Sequence, residues 1–397
     1  MEKRAYKNGF REVMKHSPVC VQKFLTSAKI RRLREHLMTE ADLLACENNT
    51  EACAKIVNIY KKRYPRENKK LQENMKDVFE HNPRIRTGFQ REEMKADMEF
   101  CWFAYGFRPD EYMFLDLGGG NKSVDKRRSF VSDRERAAFR FSVNNFTEWI
   151  LSDKAEVYKR FGEYYKRDAL CIDRQTKYED FQHFINKHPS FVQKYVSSTK
   201  GAAVRLKNRD KIGNPKEYFK KLKSQGKYLL EERIEQSNEL NAFSTSVNNI
   251  RVSTFYTRDG IELICGFFTL GQKGTFVVNA TIGCVFAAID VKSGKICSEG
   301  CDEFGNRYET HPDSGITIKG YQLPDWDEAK EICLKIAAKM PQIKYVSFDL
   351  AHTTKGWVII EINPSGQLLH QAGTLTGFKP ELKSIIDRMD TIVPFSI

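Results

Sequence analysis

Two oxygen-bearing side chains lie close together in the segment VIIEINPSGQ, residues 358–367. The apolar residues around them predict a strand with at least one covered face, where an unpaired carboxylate is costly. Successive side chains of a strand alternate between its faces, so Glu361 and Asn363 project to the same side. Carboxylate and amide oxygens directed into one space suit a hard cation such as Mg²⁺, which usually keeps waters and substrate phosphates in its shell.

The preceding apolar segment supplies a second carboxylate. Asp349 follows the apolar residues 345–348, and the turn-forming sequence HTTKG, residues 352–356, leads into the strand that carries Glu361. This pattern predicts an antiparallel hairpin, which can bring Asp349 and Glu361 opposite each other. The alternative is a hairpin whose acidic side chains face solvent or a lysine.

A lysine suited to phosphate binding lies much earlier in the chain. Lys194 is part of the apolar segment FVQKYV, residues 191–196, directly before the small-residue run SSTKGAAV, residues 197–204. A lysine in that position can bind a phosphate while amides of the following loop contact the same anion. The alternative is a lysine that extends into solvent from an edge strand.

The elements that must position these groups change character along the chain. Residues 1–105 carry apolar side chains at spacings of three and four with almost no glycine, which predicts helices, and strands dominate from residue 191 onward. A helix is predicted over DWDEAKEICLKIAAKM, residues 325–340, with Asp325 as its N-cap. Its predicted buried stripe consists of Ala329, Ile332, Cys333, Ile336 and Ala337. Helices followed by mixed strands and helices indicate an α+β fold.

Composition narrows the class of protein. The chain has 397 residues, 41% of them hydrophobic and 29% charged, which predicts two or three globular domains. Its formal net charge of +13 favours acidic partners such as nucleotides, nucleic acids or anionic membrane surfaces. We expect a cytoplasmic protein with reduced thiols, because the ten cysteines have no paired metal spacing and the sequence shows neither a signal peptide nor an apolar run that spans a bilayer.

The N-terminal part of the chain contains one strongly basic stretch. The sequence KKRYPRENKK, residues 61–70, is predicted to be a solvated loop or helix face, with a nucleic-acid or membrane patch as the alternative. No nucleic-acid-binding motif accompanies it, so no nucleic-acid partner is expected.

The order of these segments resembles the ATP-grasp superfamily over about residues 110–385. That order is SDKAEVYKRFGEYY (152–165), the strand lysine with its loop, the acidic strand LLEERI (229–234), an Asp on a strand, and Glu-x-Asn on the next strand. Within the superfamily the chain is most similar to the sugar-transfer-associated group, which is linked to polysaccharide biosynthesis. The stretches that carry this likeness are SVNNIRVSTF, AAIDVKSGK, HPDSGITIKGYQLPDWDEA, VSFDLAHTTKGWVIIEINPSGQ and HQAG.

The resemblance implies an ATP-grasp fold of two α+β lobes with ATP between them, preceded by an N-terminal helical region. Residues 1–105 would be the helical region. Residues 106–227 would hold the phosphate-binding lysines and a mobile loop that covers the triphosphate. Residues 228–397 would form the C-terminal lobe with the adenine hinge and the magnesium-binding hairpin.

The resemblance also assigns residues to ATP and Mg²⁺. Lys154 and Lys194 match the lysines that contact phosphates, and Asp349, Glu361 and Asn363 match the magnesium ligands. The cover loop would include Ser197, Ser198, Lys200 and Gly201, although it is poorer in glycine than is usual in the superfamily. Hinge positions that meet adenine fall on Glu231, Glu232 and Ile234. Glu239 is expected at the ribose, with Asn238 as the alternative.

The implied reaction is that of a carboxylate-amine ligase. A substrate carboxylate attacks the γ-phosphate to give ADP and an acylphosphate, from which an amine displaces phosphate. Arg251 is a candidate for holding the substrate carboxylate, with an ion pair to an acid of the sheet as the alternative. The other candidates are Lys319 near the γ-phosphate, His311 as a general base, and Ser365 and Gln371 in the substrate pocket. For Lys319 and His311 the alternatives are a solvated lysine and a loop histidine without function.

The expected partners are a small-molecule carboxylic acid, such as an amino acid, and an amine of a sugar or small molecule. Two further functions remain open at this point: a phosphotransferase on the same scaffold, and a non-catalytic ATP-binding scaffold in polysaccharide assembly. The sequence leaves the oligomeric state open.

Overall fold

Two antiparallel sheets, joined and covered by helices, organise the chain. A computed structural model describes residues 17–81, 88–144, 150–196, 204–272 and 284–395. The expected cover-loop residues Ser197, Ser198, Lys200 and Gly201 lie outside these ranges.

Fifteen α-helices and twelve strands lie within the described residues. The helices are α1 Val19–Arg34, α2 Glu40–Asn48, α3 Thr50–Arg63, α4 Pro65–His81, α5 Gly88–Ala104, α6 Pro109–Phe114, α7 Val124–Ser129, α8 Asp133–Asn144, α9 Lys154–Tyr165, α10 Tyr178–Lys187, α11 Pro215–Gln225, α12 Asn238–Asn241, α13 Trp326–Ala338, α14 His370–Thr374 and α15 Lys379–Asp387. The strands are β1 Ala169–Ile172, β2 Ser190–Tyr195, β3 Val204–Asn208, β4 Tyr228–Glu232, β5 Asn249–Thr257, β6 Gly260–Leu270, β7 Val285–Asp290, β8 Lys295–Ile296, β9 Gly300–Cys301, β10 Arg307–Tyr308, β11 Tyr345–Thr353 and β12 Gly356–Asn363.

The smaller sheet has four strands in the order β1-β4-β2-β3. Helices α10 and α11 pack on it through an aromatic core that includes Phe181, Phe191 and Phe219. Lys194 lies on β2, which pairs with a neighbour on each side, and its side chain is buried. The alternative of a lysine extending into solvent from an edge strand is therefore wrong.

The larger sheet has the order β10-β9-β7-β6-β5-β11-β12, with β8 paired to β7. The predicted hairpin is confirmed: β11 and β12 pair in antiparallel fashion, with Asp349 directly opposite Glu361. A register shift follows at Leu350, where β11 next pairs with Ile359. The shift leaves Ile360 as one extra residue on the edge strand β12, directly before Glu361.

Helix α13 covers the face of the larger sheet opposite those acids. All five residues of its predicted stripe are buried. The predicted N-cap is wrong in its chemistry: Asp325 occupies the N-cap position with φ of 43° but makes no side-chain cap hydrogen bond. Its carboxylate lies 3.0 Å from His352 Nε2 instead, because the left-handed backbone turns the side chain away from the helix.

The described residues up to 104 are largely helical, as predicted for residues 1–105. Their core continues into the larger sheet, since Trp102 and Phe103 belong to the same buried cluster as Phe286 and Cys301. Within the basic stretch, Lys61 donates to both carboxylate oxygens of Glu99, at 2.8 and 2.9 Å. The Lys61 side chain is therefore held in an ion pair and is not fully solvated.

The described structure also gives the state of the cysteines and the character of the helices. All ten cysteines are free thiols. Among the described residues, no helix combines the length and the apolar character needed to cross a bilayer.

Helix α8 covers the face of the larger sheet that carries the acidic hairpin. Phe139 packs against Phe255 and Tyr345, which stack on each other with ring centroids 4.7 Å apart. At the end of the helix, the fully buried Asn144 side chain donates to the carbonyls of Tyr345 and Pro364 and accepts from the Tyr345 amide. One side chain thus holds the helix, strand β11 and the loop after β12 together.

We predict that Asn144→Ala lowers the free energy of unfolding by about 3 kcal/mol, because it leaves several buried backbone groups without partners. Asn74→Ala, which removes a single exposed hydrogen bond within α4, should stay within about 0.5 kcal/mol of the wild type. Urea unfolding of both variants measures the difference. Equal effects of the two substitutions would contradict the bridging role of Asn144.

Candidate active site

The three predicted magnesium ligands meet on adjacent strands. Asp349 pairs with Glu361 across β11 and β12, and Asn363 pairs with Ser347 one step along the same face. The Asn363 amide donates to Asp349 Oδ2 at 3.2 Å. The sheet therefore brings two carboxylates and an amide oxygen into one space, as the strand alternation predicted.

Each of these carboxylates has a cationic partner. Arg251, opposite Asp349 on β5, donates to both of its oxygens at 2.5 and 2.8 Å. Lys154 forms an ion pair with Glu361. Burial would raise the pKa of Glu361, but three nearby cations, Lys154 first and then Lys194 and Arg251, together outweigh burial and lower the pKa.

The start of α9 explains the position of Lys154. Asp153 caps this helix by accepting hydrogen bonds from the amides of Ala155 and Glu156, at 2.9 and 3.2 Å. The lysine that follows the cap is held against edge strand β12, next to Glu361.

A second charged cluster lies on the smaller sheet. Glu231 is 3% exposed and accepts from Arg167 Nε at 2.9 Å, while its other oxygen lies 2.8 Å from Lys194 Nζ. Burial alone would raise the pKa of Glu231, yet the two cations lower it to about 2. Burial also lowers the pKa of Lys194, since the loss of hydration and the nearby Arg167 cation outweigh the carboxylates of Glu231 and Glu361.

Arg167 connects the two sheets. Its Nη1 donates to the carbonyl of Ile359 on β12 at 2.6 Å, while its Nε holds Glu231 on β4. The same guanidinium therefore fixes the hinge strand of the smaller sheet against the edge strand that carries Glu361.

Two of the three predicted hinge residues line a cleft between the two sheets. Glu232 and Ile234 line it together with Thr353, Lys355 and Val358. Glu231, in contrast, directs its carboxylate into the buried cluster rather than into this cleft. Glu232 also accepts from the Asp168 amide at 2.9 Å, which fixes the end of the hinge strand.

The predicted ribose residue lies at the start of the short helix α12. Glu239 and its alternative Asn238 are both exposed there. His352 lies near Glu239 and has fixed partners of its own, Ser237 at 2.9 Å and Asp325 at 3.0 Å.

Two candidate catalytic residues are not brought to the acidic hairpin by any described contact. His311 is fully buried, and its ring nitrogens lie 3.1 Å from the Gly271 carbonyl and 3.2 Å from Ser314 Oγ. Burial lowers the pKa of His311, and its position matches the alternative of a histidine without a catalytic function. Lys319 is exposed on a turn, as expected for a solvated lysine.

The two candidate substrate residues differ in their surroundings. Gln371 is buried, and its Oε1 accepts from the amides of Val131 and Phe378 at 2.9 and 3.0 Å. Because backbone groups satisfy this amide, its position favours a structural role over the predicted place in the substrate pocket. Ser365 lies in the loop after β12, where its hydroxyl accepts from Arg136 at 2.8 Å.

Sequence reasoning missed Arg136, Arg167 and Gln367. Arg251 Nη1 donates to Gln367 Oε1 at 3.3 Å, so this glutamine lies beside the same loop. The arginines contact residues about 190 to 230 positions away along the chain. No local spacing reveals such contacts. Gln367, in contrast, lies in the segment 358–367 only four residues after Asn363, and this proximity to a predicted ligand could have indicated it.

The arrangement suits a polyanion accompanied by a hard cation. Four cationic side chains, Lys154, Lys194, Arg167 and Arg251, surround three carboxylates, Glu231, Asp349 and Glu361. Oxygen ligands alone at Asp349, Glu361 and Asn363 fit Mg²⁺ better than a softer metal. The lysines can exchange a carboxylate for a phosphate without losing a charged partner.

Comparison with known proteins gave one family match. A model of a family described as sugar-transfer associated ATP-grasp matches residues 150–387. No curated protein sequence matches the chain.

Solved structures similar to this chain include several ligases. The ATP-grasp ligase PsnB, complexed with a minimal precursor, Mg and ADP, is 13% identical over 62% of this chain and 62% of its own, with a TM-score of 0.39. D-alanine–D-alanine ligase from Bacillus anthracis is 13% identical over 64% of this chain and 74% of its own, with a TM-score of 0.38. A RiPP-associated ATP-grasp ligase from Chryseobacterium gregarium is 12% identical over 63% of this chain and 64% of its own, with a TM-score of 0.36. The chain thus spans less than two thirds of the length of PsnB.

We predict that Glu231→Gln destabilises the protein by about 3 kcal/mol at pH 7, because two buried cations lose their only shared carboxylate. Glu232→Gln, a partly exposed control that keeps an acceptor oxygen, should cost less than about 1 kcal/mol. Urea unfolding of both variants and the wild type measures these costs.

The same substitution has a predicted pH dependence. The pKa of Glu231 lies near 2 in the folded chain and near its ordinary 4.5 in the unfolded chain. Its contribution to stability is therefore complete above about pH 4.5 and is lost as the pH falls toward 2. The gap between wild type and Glu231→Gln should narrow over that range, and a gap that does not change with pH would contradict the assignment.

Proposed function

The chain belongs to the sugar-transfer associated ATP-grasp family, and from this membership we propose that it is an ATP- and Mg²⁺-dependent carboxylate-amine ligase. It would join an amino acid or another carboxylic acid to an amine of a sugar or small molecule. ADP and phosphate would be the other products, formed through an acylphosphate. We place the reaction in polysaccharide biosynthesis, and the protein in the cytoplasm.

One observation carries the proposal: Arg251, Asp349 and Glu361 form a continuous row across β5, β11 and β12, with Asn363 beside it. The row offers oxygen ligands for Mg²⁺ and, one strand away, an arginine that holds Asp349 with Nε and Nη2 and would bind a second anion through Nη1. A ligase of this type must hold two anions, the triphosphate and the substrate carboxylate, close enough to react.

Lys154 and Lys194 would bind the phosphates. In the described structure each is paired with a carboxylate, Glu361 and Glu231 respectively. When Glu361 turns to Mg²⁺, it frees Lys154 for a phosphate oxygen, so that ion pair would be exchanged rather than lost. Lys194 would keep Glu231 as a partner while its ammonium also binds a phosphate oxygen. The cation and the lysines would together neutralise the charge that develops on the transferred phosphoryl group.

The nucleoside would lie in the cleft at the hinge. Glu232 and Ile234 line that cleft and are proposed to meet adenine mainly through their backbone groups. Glu239 on α12 is proposed to accept hydrogen bonds from the ribose hydroxyls. The loop residues Ser197, Ser198, Lys200 and Gly201 are proposed to cover the triphosphate.

Arg251 would hold the reacting carboxylate. It keeps a bidentate contact with Asp349 and directs Nη1 toward Gln367, next to Ser365. A carboxylate oxygen held there would attack the γ-phosphorus as its bond to the ADP oxygen breaks. The amine nitrogen would then attack the acyl carbon, phosphate would leave, and the amine proton would pass to solvent or to the departing phosphate.

We predict that Glu361→Gln and Asp349→Asn each lower Mg-ATP turnover at least a hundredfold, because each removes a charged ligand of the cation. Asp327→Asn is the matched control, since this carboxylate is 96% exposed on α13, and it should retain full turnover. Turnover of all three variants is measured as the rate of ADP release, and circular dichroism checks that each variant is folded. Normal turnover in either hairpin variant would refute the metal assignment.

Product analysis tests the reaction type. The purified chain is incubated with Mg-ATP and pooled carboxylic acids, with and without pooled amines and amino sugars, and the products are identified by mass spectrometry. We expect ADP, phosphate and an amide adduct only when both pools are present. A stable phosphorylated acceptor would replace the ligase with a phosphotransferase, and AMP would refute the acylphosphate route.

A further inference from the structure

Helix α8 lies before the residues that match the family, 150–387, yet it contacts the loop that follows the proposed magnesium ligands. Arg136 Nη1 donates to Ser365 Oγ at 2.8 Å, and the Asn144 amide donates to the Pro364 carbonyl at 2.6 Å. Helix α8 therefore forms one wall of the loop at residues 364–367.

The larger sheet holds the same loop from the other side. The Tyr345 hydroxyl donates to the Gly366 carbonyl at 2.8 Å, and Arg251 donates to Gln367. A Cβ at Gly366 would lie 2.3 Å from Ser347 Oγ, so only glycine allows the loop to approach the sheet this closely. Arg136 and Arg251 thus flank a loop whose position is fixed by contacts on both sides.

The Arg136 guanidinium is only partly used by its described contacts. Nε and Nη2 both donate to one oxygen of Asp133, at 3.0 and 2.6 Å, and Nη1 donates to Ser365. A guanidinium has five N–H groups, so two of them have no partner in these contacts. The side chain is 13% exposed, so most of its hydration is removed while part of it remains accessible to solvent.

The acids next to Arg136 also have other hydrogen-bond partners. Arg108 Nη1 donates to the second oxygen of Asp133 at 3.1 Å. Glu111, which accepts from the Asp133 amide at 2.7 Å, also accepts from the Arg108 amide at 2.9 Å. Asp133 is therefore shared between two arginines, and it neutralises Arg136 only in part.

We propose that Arg136, with the Ser365 hydroxyl beside it, binds a second anionic group of the acid substrate. This group is a carboxylate or a phosphate that takes no part in the reaction, because its planar or tetrahedral oxygens match the guanidinium fork. The inference rests on the proposed function, in which Arg251 and the hairpin hold the reacting carboxylate. Substrates with two anionic groups are then preferred over those with one.

Matched small acids test this preference without knowledge of the natural substrate. The full chain is saturated with Mg²⁺ and a non-hydrolysable ATP analogue, which fills the triphosphate site, and is then titrated with succinate, 3-phosphonopropionate or butyrate. Butyrate has the carbon skeleton of succinate with a methyl group in place of one carboxylate. We expect at least one of the two dianions to bind tenfold or more tightly than butyrate, and the tighter one identifies the second anion.

Variants on one helix assign the preference to Arg136. Arg136→Gln should reduce the dianion-to-butyrate ratio to nearly one, whereas Arg140→Gln, one turn further along α8, should leave it unchanged. Asp133→Asn should raise dianion affinity, because it removes part of the competing negative charge. A purely structural role for Arg136 would predict no such gain.

Three outcomes would overturn the inference: a wild-type ratio near one, an unchanged ratio in Arg136→Gln, or no gain in Asp133→Asn. Binding of the ATP analogue is measured first in every variant and shows that each is folded. Absence of Mg²⁺-dependent analogue binding in the wild type would contradict the proposed function itself. Intact analogue binding with an unchanged ratio would contradict the role of Arg136 alone.

Discussion

The register between β5, β11 and β12 is the constraint on which the site depends. It places Arg251, Asp349 and Glu361 side by side on one face of the sheet. A shift of one residue in β12 would turn Glu361 to the opposite face, which α13 covers. Apolar packing on that covered face therefore fixes the position of the charged groups on the other.

Pairing of these charges follows from the same arrangement. A carboxylate on a half-buried strand must have a cation or a donor, and Lys154, Arg251 and Lys194 fill that need in the described structure. Buried ion pairs add little net stability compared with apolar packing. Their concentration around the acidic hairpin is consistent with the proposed binding function, because the same cations can donate hydrogen bonds to phosphate and carboxylate oxygens.

The short-range features of the site could be predicted from the sequence. The hairpin, the shared face of Glu361 and Asn363 and the buried stripe of α13 all follow from spacing within a few residues. Features that depend on distant contacts could not be predicted in this way. Gln371, for instance, accepts a hydrogen bond from Val131, which is 240 residues away along the chain. Its structural role is visible only once this distant contact is known. The partners of Arg136 and Arg167 were hidden for the same reason.

We propose that the paired acids and lysines form one site for Mg²⁺ and ATP together. Isothermal titration of ATP into the full chain, with Mg²⁺ and then with EDTA, tests it most directly. We expect saturable binding to a single site that weakens at least tenfold when Mg²⁺ is removed. Affinity that does not depend on Mg²⁺, or no binding in either condition, would contradict it.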